Sequence, residues 1–151
     1  MTRRPDLERV SRRDFEEVWH GRDPSAIPGI YRADYVGNGF PVVGSIGRGH
    51  YRRLAELFLR AFPDIRFRIH ELDSAGRSVG VRWTFTATHA GRVFGLPPSG
   101  ATLEVDGRGR HRYDDGRVAE TWLEMDWAGL ASGIARGYAS RLRERLGGLV
   151  R

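Results

Sequence analysis

The spacing of hydrophobic residues over the first 63 positions has the period of helices. A first helix is predicted over residues 5–20, with one apolar side formed by Leu7, Val10, Phe15, Val18 and Trp19. Residues 24–36 contain two prolines and a glycine, so any helix there is short. A third helix ends before Pro63 and is marked by Tyr51, Leu54, Leu57, Phe58 and Ala61. The segments 37–41 and 44–49 are predicted to be loops.

Beyond Pro63 the pattern changes to the alternation of apolar and polar residues that is typical of strands. Strands are predicted over 65–71, 79–87 and 102–113. The turn sequence Asp114-Asp115-Gly116 joins the third of these to a last strand that ends near Met125. Helices followed by an antiparallel sheet predict the α+β class, in which the helices cover one face of the sheet.

Opposite charges select one register for the hairpin over residues 104–126. That register places three cross-strand pairs on one face: Arg112 with Glu120, Arg108 with Glu124, and Arg110 with Trp122. The other face then carries Gly107, Gly109, His111 and Tyr113 opposite Met125, Leu123, Thr121 and Ala119. A shift by one residue would mix charge into this apolar face, so we expect the first register, with the second face turned inward.

Four short motifs surround the predicted strands. They are Ala61-Phe62-Pro63-Asp64-Ile65, Thr88-His89-Ala90-Gly91, Gly95-Leu96-Pro97-Pro98-Ser99-Gly100 and Asp115-Gly116-Arg117-Val118. In this order they resemble the SnoaL-like polyketide cyclases. The resemblance implies a cone-shaped α+β barrel, in which a curved antiparallel sheet wraps around the N-terminal helices and encloses a cavity for a small hydrophobic molecule. It also implies a homodimer, because such domains commonly associate through their sheets.

Composition limits the possible classes of protein. A chain of 151 residues forms one domain, expected over 1–127 with the C-terminal helix 128–151 as part of it. The absence of cysteine excludes disulfides and thiol nucleophiles. No apolar run approaches the roughly 18 residues of a membrane span. Residues 1–8 also lack the apolar core of a secretory signal, so we expect a cytoplasmic protein with no membrane partner.

The net charge of +6 raises the question of a nucleic-acid partner. All 25 basic residues are arginine, and they are scattered along the chain beside acidic residues. A nucleic-acid-binding face would cluster this charge and combine it with exposed aromatic rings. The sequence therefore predicts a solvated basic surface and no nucleic-acid partner.

The sequence departs from the cyclases at the residues that carry their chemistry. Counted from the Asp115-Gly116 turn, the acid–base aspartate of that family falls at Leu123, and a histidine on the preceding strand falls at Gly109. Asp126 matches a later acidic position and is expected to cap the next helix. Acid–base chemistry would need other residues. A ligand-binding protein without chemistry, or an interaction scaffold, is the competing prediction.

Three side chains are candidates for that chemistry. His111 faces inward in the expected register, and His89 shares its parity with the inward Trp83; imidazole titrates near neutral pH and serves as acid or base. The alternative for His89 is support of the turn from Thr88 to Gly91. Asp34 and Tyr35 match the end of the family's second helix. Asp34 beside an apolar cavity would have a raised pKa and act as a base, or it would pair with Arg32.

The predicted wall of the cavity consists of Trp19, Tyr35, Asn38, Tyr51, Trp83, Phe85, Gly107, Gly109, Tyr113, Thr121 and Leu123. The two glycines either leave room for a ligand or let the sheet bend, and Asn38 is alternatively a turn residue. No cofactor is expected. The five histidines lack the spacing of a metal site, so no metal is expected either.

Two surfaces bear on assembly. Leu130, Ile134, Tyr138, Leu142 and Leu146 recur every four residues and predict an amphipathic C-terminal helix that packs on its own domain or on a partner subunit. Trp122, on the outer face of the hairpin, is expected to lie in a homodimer interface or under the stems of neighbouring arginines. The predicted function is cyclase-, isomerase- or hydratase-type proton transfer on a small hydrophobic molecule in secondary metabolism.

Overall fold

The computed structural model describes residues 6–40 and 43–149. Helix α1 (Leu7–Arg13) begins at Asp6, whose carboxylate accepts a hydrogen bond from the Arg9 amide at 3.3 Å. The helix then widens into a π-helix over Asp14–His20. The helix predicted over 5–20 is confirmed for its described part, and Pro5 lies outside the described residues. Its inner side is buried through Phe15, Val18 and Trp19.

The segment from Pro24 to Ile46 differs from the prediction. A 3₁₀ turn (Pro24–Ala26) and α2 (Ile27–Ile30) are short, as expected. Strand β1 (Tyr31–Phe40) follows directly, and β2 (Gly44–Ile46) pairs with it, so the predicted loops were wrong there. Gly39 has φ +93°, and a Cβ at this position would collide with the Leu123 carbonyl. Here glycine permits close contact between strands, which the sequence pattern of a loop conceals.

The remaining elements agree with the prediction. Helix α3 (Arg48–Ala61) is followed by β3 (Arg66–Ala75), β4 (Ser78–Thr88), β5 (Thr102–Asp114) and β6 (Arg117–Met125). The six strands form one curved sheet in the order β2-β1-β6-β5-β4-β3. Among the strand pairs formed by the described residues, β1–β6 is parallel and the other four are antiparallel. Helices and sheet thus form the expected α+β layers around a shared core.

Asp64 explains why the Phe-Pro-Asp motif precedes the sheet. Its carboxylate accepts hydrogen bonds from the amide and the hydroxyl of Thr88, both at 2.7 Å. Thr88 ends β4, so one side chain joins the approach to β3 to the end of its neighbour. The motif therefore fixes where the two strands begin and end.

The charge-based register of the β5–β6 hairpin is confirmed. Arg112 pairs with Glu120, Arg110 with Trp122, Arg108 with Glu124 and His111 with Thr121. The predicted pairing of Tyr113 with Ala119 was wrong, because a bulge leaves Ala119 unpaired and places Tyr113 opposite Val118. The inner and outer faces are nevertheless as expected, with Gly107, Gly109 and Tyr113 buried.

One half of the interior is filled by aromatic rings. Phe67 contacts Trp83 at a centroid distance of 5.2 Å and Phe85 at 5.6 Å, and Phe62 lies 6.3 Å from Phe85. A Cβ at Gly107 would overlap the six-membered ring of Trp83. The space that Gly107 leaves is therefore occupied by the indole of the neighbouring strand.

Helix α4 (Trp127–Leu149) packs on its own domain through its first half. Asp126 caps it by accepting a hydrogen bond from the Gly129 amide at 2.8 Å, as predicted. Gly133 and Gly137 permit close packing on Leu103 and on the Ser99–Ala101 segment. Leu142 and Leu146 are 59% and 52% exposed. None of the helices that the structure describes is long and apolar enough to cross a membrane.

Candidate active site

The π-helix over Asp14–His20 turns a carboxyl group into the interior. Asp14, Phe15, Val18 and Trp19 are all buried along it, and Asp14 is only 8% exposed. Rare π-helical turns widen the backbone and are common at functional sites. The consequence here is that an acidic side chain lies among core residues with no arginine paired to it in the described salt bridges.

Phenol groups surround the Asp14 carboxyl group. The Tyr51 hydroxyl lies 3.4 Å from each carboxyl oxygen, and the Tyr31 hydroxyl donates to the Tyr51 hydroxyl at 3.3 Å. The Tyr31 ring packs against Tyr35 at a centroid distance of 4.8 Å, and both rings are buried. These side chains come from the π-helix, β1 and α3. The cluster therefore joins the helical layer to the sheet.

Burial changes how readily these groups ionise. Loss of hydration raises the pKa of Asp14 to about 7, against the opposing effect of hydrogen bonds from Tyr31, Tyr51 and Trp19. Burial also raises the pKa of the Tyr31 and Tyr51 phenols far above the usual value. Near neutral pH the cluster thus holds a carboxyl group that readily gains or loses a proton, among hydroxyl groups that keep theirs.

His111 forms the second polar group of the interior. It lies on the inner face of β5, where its Nδ1 is 2.8 Å from the Thr121 hydroxyl on β6. Burial lowers the pKa of His111 to about 4, so the imidazole is neutral at physiological pH. Its ring and Leu123 are half-buried on the inner face, whereas Thr121 is almost fully buried. His111 therefore retains part of its exposure to solvent.

A surface groove of about 810 Å³ lies beside the polar half of the interior, which holds Asp14 and His111, and shares Tyr113 with it. It lies between the start of α1 and the turns at Gly76 and Gly116, and its wall includes Leu7 and Tyr113. Burial raises the pKa of Tyr113, and the nearby Asp14 charge raises it further. Tyr113 therefore lies between the groove and Asp14.

The predicted position of Asp34 beside a cavity was wrong. Asp34 lies on β1 rather than at the end of a helix, its side chain is 72% exposed, and it pairs with Arg32 at 2.9 Å. The hydrogen bond from Arg32 lowers the pKa of Asp34, which is the reverse of the change predicted for a base. The alternative considered from the sequence, an ion pair with Arg32, is confirmed. Tyr35, the next residue on the strand, points inward.

His89 and Asn38 also lie away from the polar cluster. His89 is fully buried outside β4, where its Nδ1 lies 2.8 Å from the Ser99 hydroxyl and accepts from the Ser99 amide. It supports the loop beneath α4, in agreement with the alternative role. The amide of Asn38 donates to Glu120 and to the Thr121 carbonyl, both at 3.0 Å, and so connects β1 to β6 instead of lining a cavity.

The predicted wall residues therefore divide into two groups. Trp83, Phe85 and Gly107 belong to the aromatic packing, and the expectation that Gly107 leaves room for a ligand was wrong. The structure brings Trp19, Tyr35, Tyr51 and Tyr113 close to Asp14, whereas His111 and Thr121 contact each other on the β5–β6 hairpin. Gly109 and Leu123 face each other on the inner side of the hairpin.

Sequence reasoning missed Asp14, although one signal was present. Val10, Asp14 and Val18 are four residues apart and lie on the apolar side of the first helix. A carboxylate on a buried helix face is expensive unless it keeps its proton or has a partner, so this position marks a candidate site. Over the described residues, no three His, Cys, Asp or Glu side chains are close enough to hold a metal ion.

The fold is a curved α+β cone with a polar cluster inside, and comparison with known proteins identifies its family. Residues 9–134 match the family model described as SnoaL-like polyketide cyclase. The chain belongs to this family. No curated relative matches the sequence.

Solved structures show the same fold. A candidate SnoaL-like polyketide cyclase from Jannaschia sp. CCS1 superposes with a TM-score of 0.77 at 20% identity, over 89% of this chain and 96% of the other. AclR from Streptomyces galilaeus, a candidate hydroxylase, gives 0.77 at 24% identity over 87% and 96%. IdmH from Streptomyces antibioticus, a candidate polyketide cyclase, gives 0.73 at 20% identity over 86% and 99%. At these identities the likeness establishes the fold alone.

Proposed function

We propose that the protein is an enzyme that transfers protons on a small hydrophobic carbonyl compound of secondary metabolism, with Asp14 as the acid and His111 as the base. The observation that carries this proposal is the buried Asp14 carboxyl group among three tyrosines, in the same interior as a neutral imidazole. Two groups with pKa values displaced in opposite senses are the arrangement that acid–base catalysis requires. The chemistry is of cyclase, isomerase or hydratase type and needs no cofactor.

The polar half of the interior suits an uncharged substrate that develops negative charge on oxygen. A protonated Asp14 and the Tyr51 hydroxyl are donors that can stabilise an enolate without a counter-ion. The aromatic half is filled by its own packing, with Phe67 against Trp83, so the rest of the molecule would lie toward the surface groove. Access is through the groove beside Tyr113.

Proton exchange tests the proposal without knowledge of the natural substrate. A panel of bicyclic aromatic ketones, beginning with 1-tetralone, is incubated in D₂O, and exchange of the α-protons is followed by ¹H NMR. We expect exchange above the buffer rate, and a loss on the order of a hundredfold or more in Asp14→Asn and in His111→Ala. Asp34→Asn serves as the control, because this carboxylate is exposed and paired with Arg32. Exchange that survives both interior substitutions contradicts the proposal.

A binding protein without catalysis is the second candidate. It is favoured by Leu123, which stands where the resemblance to the cyclases places the acid–base aspartate. Such a protein would bind aromatic ketones, detected by quenching of tryptophan fluorescence, without accelerating exchange. Asp14→Asn would then change the affinity for the ketone and leave the rate of proton exchange at the buffer rate.

A further inference from the structure

We propose that one end of the molecule binds the surface of an anionic lipid bilayer. This surface, the loop–α4 end, comprises the loop residues 92–97 and the second half of α4, residues 139–148. Its exposed apolar side chains would enter the headgroup layer, and its arginines would contact the lipid phosphates. The proposal is separate from the chemistry proposed for the interior, and it assigns a use to residues that belong to neither the core nor the candidate active site.

The loop–α4 end exposes apolar side chains on two elements. Phe94 and Leu96 on the loop are 62% and 43% exposed, and Leu142 and Leu146 on α4 are 59% and 52% exposed. They are four of the seven large hydrophobic side chains that the described residues expose. Single exposed apolar residues are common on protein surfaces, whereas a group of them in one place marks a contact surface.

Hydrogen bonds hold the two elements side by side. The Tyr138 hydroxyl donates to the Pro97 carbonyl, and Arg141 Nη1 donates to the Pro98 carbonyl at 2.8 Å. Leu142 follows Tyr138 by four residues, so it lies on the same side of α4, one turn further along. The tip of the loop and the leucines of the helix are therefore neighbours at one end of the molecule.

The backbone of the loop tip is fixed with Phe94 outward. Val93 and Leu96 exchange backbone hydrogen bonds of 3.0 and 2.7 Å, and Val93 is buried beneath the turn. Between them, Phe94 has φ +46°, in the left-handed region that a bulky residue rarely adopts. Such strain persists only where the surrounding structure imposes it, and it is frequent at functional sites. Here its result is an aromatic ring that is turned to solvent.

Positive charge accompanies the leucines of α4. Residues 139–148 are all exposed, and they include Arg141, Arg143 and Arg145 against one acidic residue, Glu144. Neither Arg143 nor Arg145 takes part in a described salt bridge. Leucines beside arginines on an exposed helix are typical of helices that lie on a bilayer. Each arginine near an anionic lipid surface strengthens that binding.

The shape of the loop–α4 end favours a bilayer over a protein partner. Protein interfaces concentrate their binding energy where a side chain of one protein fills a pocket of the other. Three grooves of the described surface lie at the sheet, beside α1 and between α4 and residues 99–102, and none contains the four apolar side chains. A second copy is disfavoured, because two such ends would bring like charges together. A bilayer needs no matching groove.

Binding at the lipid surface needs no membrane-spanning segment. The sequence predicted no membrane partner because it lacks an apolar run long enough to cross a bilayer. An amphipathic surface enters only the headgroup region, to a depth of roughly 5–10 Å. The proposal therefore replaces the prediction of no membrane partner with a contact at the lipid surface.

Co-sedimentation of the full chain with lipid vesicles tests the proposal. The vesicles contain either equal parts of phosphatidylglycerol and phosphatidylcholine or phosphatidylcholine alone, at physiological salt. We expect binding to the anionic vesicles that is on the order of tenfold or more tighter than binding to the neutral ones. Equal affinity for the two vesicles, or binding to neither, overturns the proposal.

Paired charge variants locate the binding surface. Arg143→Gln combined with Arg145→Gln should weaken binding to the anionic vesicles by on the order of tenfold. Arg9→Gln combined with Arg12→Gln removes the same charge from exposed positions of α1 and should leave binding close to that of wild type. An equal loss in both double variants would assign binding to the net charge of the protein and contradict the assigned surface.

Apolar variants test whether side chains enter the lipid. Leu142→Gln and Phe94→Asn should each weaken binding by on the order of fivefold or more, and asparagine suits the left-handed backbone of the loop. Val36→Gln is the control, because Val36 is an exposed apolar residue of β1. Unchanged binding in both variants, with equally tight binding to polyglutamate, would mean a general attraction to polyanions and overturn the proposal. A dimer that Leu142→Gln dissociates, without vesicle binding by wild type, would assign the surface to a second copy instead.

Discussion

Asp14 lies where the fold would be more stable with an uncharged side chain. Its pKa is about 7 in the folded protein, compared with 3.8 when exposed to water, because burial disfavours the charged form. The folded state therefore binds a proton more tightly than the unfolded state. The stabilisation that the protonated Asp14 provides is fully present below about pH 4, and it is lost as the pH rises through about 7.

Asp14→Asn should consequently stabilise the protein at alkaline pH while it removes activity. A displacement of about three pH units corresponds to roughly 4 kcal/mol, so we expect a gain of that order at pH 8 and a clearly smaller one at pH 5. Urea unfolding at the two pH values measures both. The contribution of His111 is common to the two proteins and cancels in the comparison.

The control for this experiment is Asp34→Asn. Its carboxylate is exposed and paired with Arg32, which lowers its pKa, so the substitution should bring no gain at pH 8. A destabilised Asp14→Asn variant at pH 8 would mean that the ionised carboxylate is held by the tyrosines as a needed partner. Asp14 would then be a structural residue rather than a proton donor.

At the scale of elements, the sequence predicts what periodicity alone determines. The first and third helices, the strands from β3 to β6 and the β5–β6 register follow from apolar spacing and paired charges. Strand β1 was missed because its glycines resemble turn residues, whereas Gly37 and Gly39 accommodate Tyr35 and the Leu123 backbone. Such contacts between distant parts of the chain have no local signature.

The candidate site shows the same division. His111, Thr121 and Tyr113 could be predicted, since alternation along a paired hairpin decides which side chains point inward. Asp14 could not be placed by alternation, because its environment depends on tyrosines from β1 and α3. The predicted position of Asp34 was wrong for a related reason: the prediction placed Asp34 at the end of a helix, whereas the chain forms strand β1 there.

Cross-strand packing between β4 and β5 gives the next prediction. Gly107→Ala should destabilise the fold by on the order of 1–3 kcal/mol, because its methyl group would overlap the Trp83 ring in a filled core. Chemical denaturation measures the change. Gly49→Ala on α3 is the control, since nothing lies within 4 Å of its added carbon and alanine favours a helix. If Gly107→Ala is as stable as wild type, the aromatic half contains room that a ligand could use.

At the scale of the whole molecule, the outer face of the sheet is the surface that most resembles an interface. Trp122 is 44% exposed there, beside a groove of about 550 Å³. Ion pairs cross the face between Arg108 and Glu124 at 2.6 Å and between Arg112 and Glu120 at 3.4 Å. Alternating charges around one aromatic ring are self-complementary under a two-fold axis, which is the commonest symmetry of homo-oligomers.

We therefore expect a dimer through the sheet at micromolar concentration, and Trp122→Glu should dissociate it, because a carboxylate would be buried at the centre of the interface without a partner. Sedimentation velocity distinguishes the two states. Leu142→Glu makes the same change at an exposed residue of α4, away from the sheet, and should leave the dimer intact. A wild-type monomer, or a Trp122→Glu dimer as tight as wild type, would remove the sheet face from the interface. Dissociation by Leu142→Glu alone would mean that the subunits contact each other through the exposed end of α4. There, Leu142 and Leu146 continue the apolar side of the helix beyond the core.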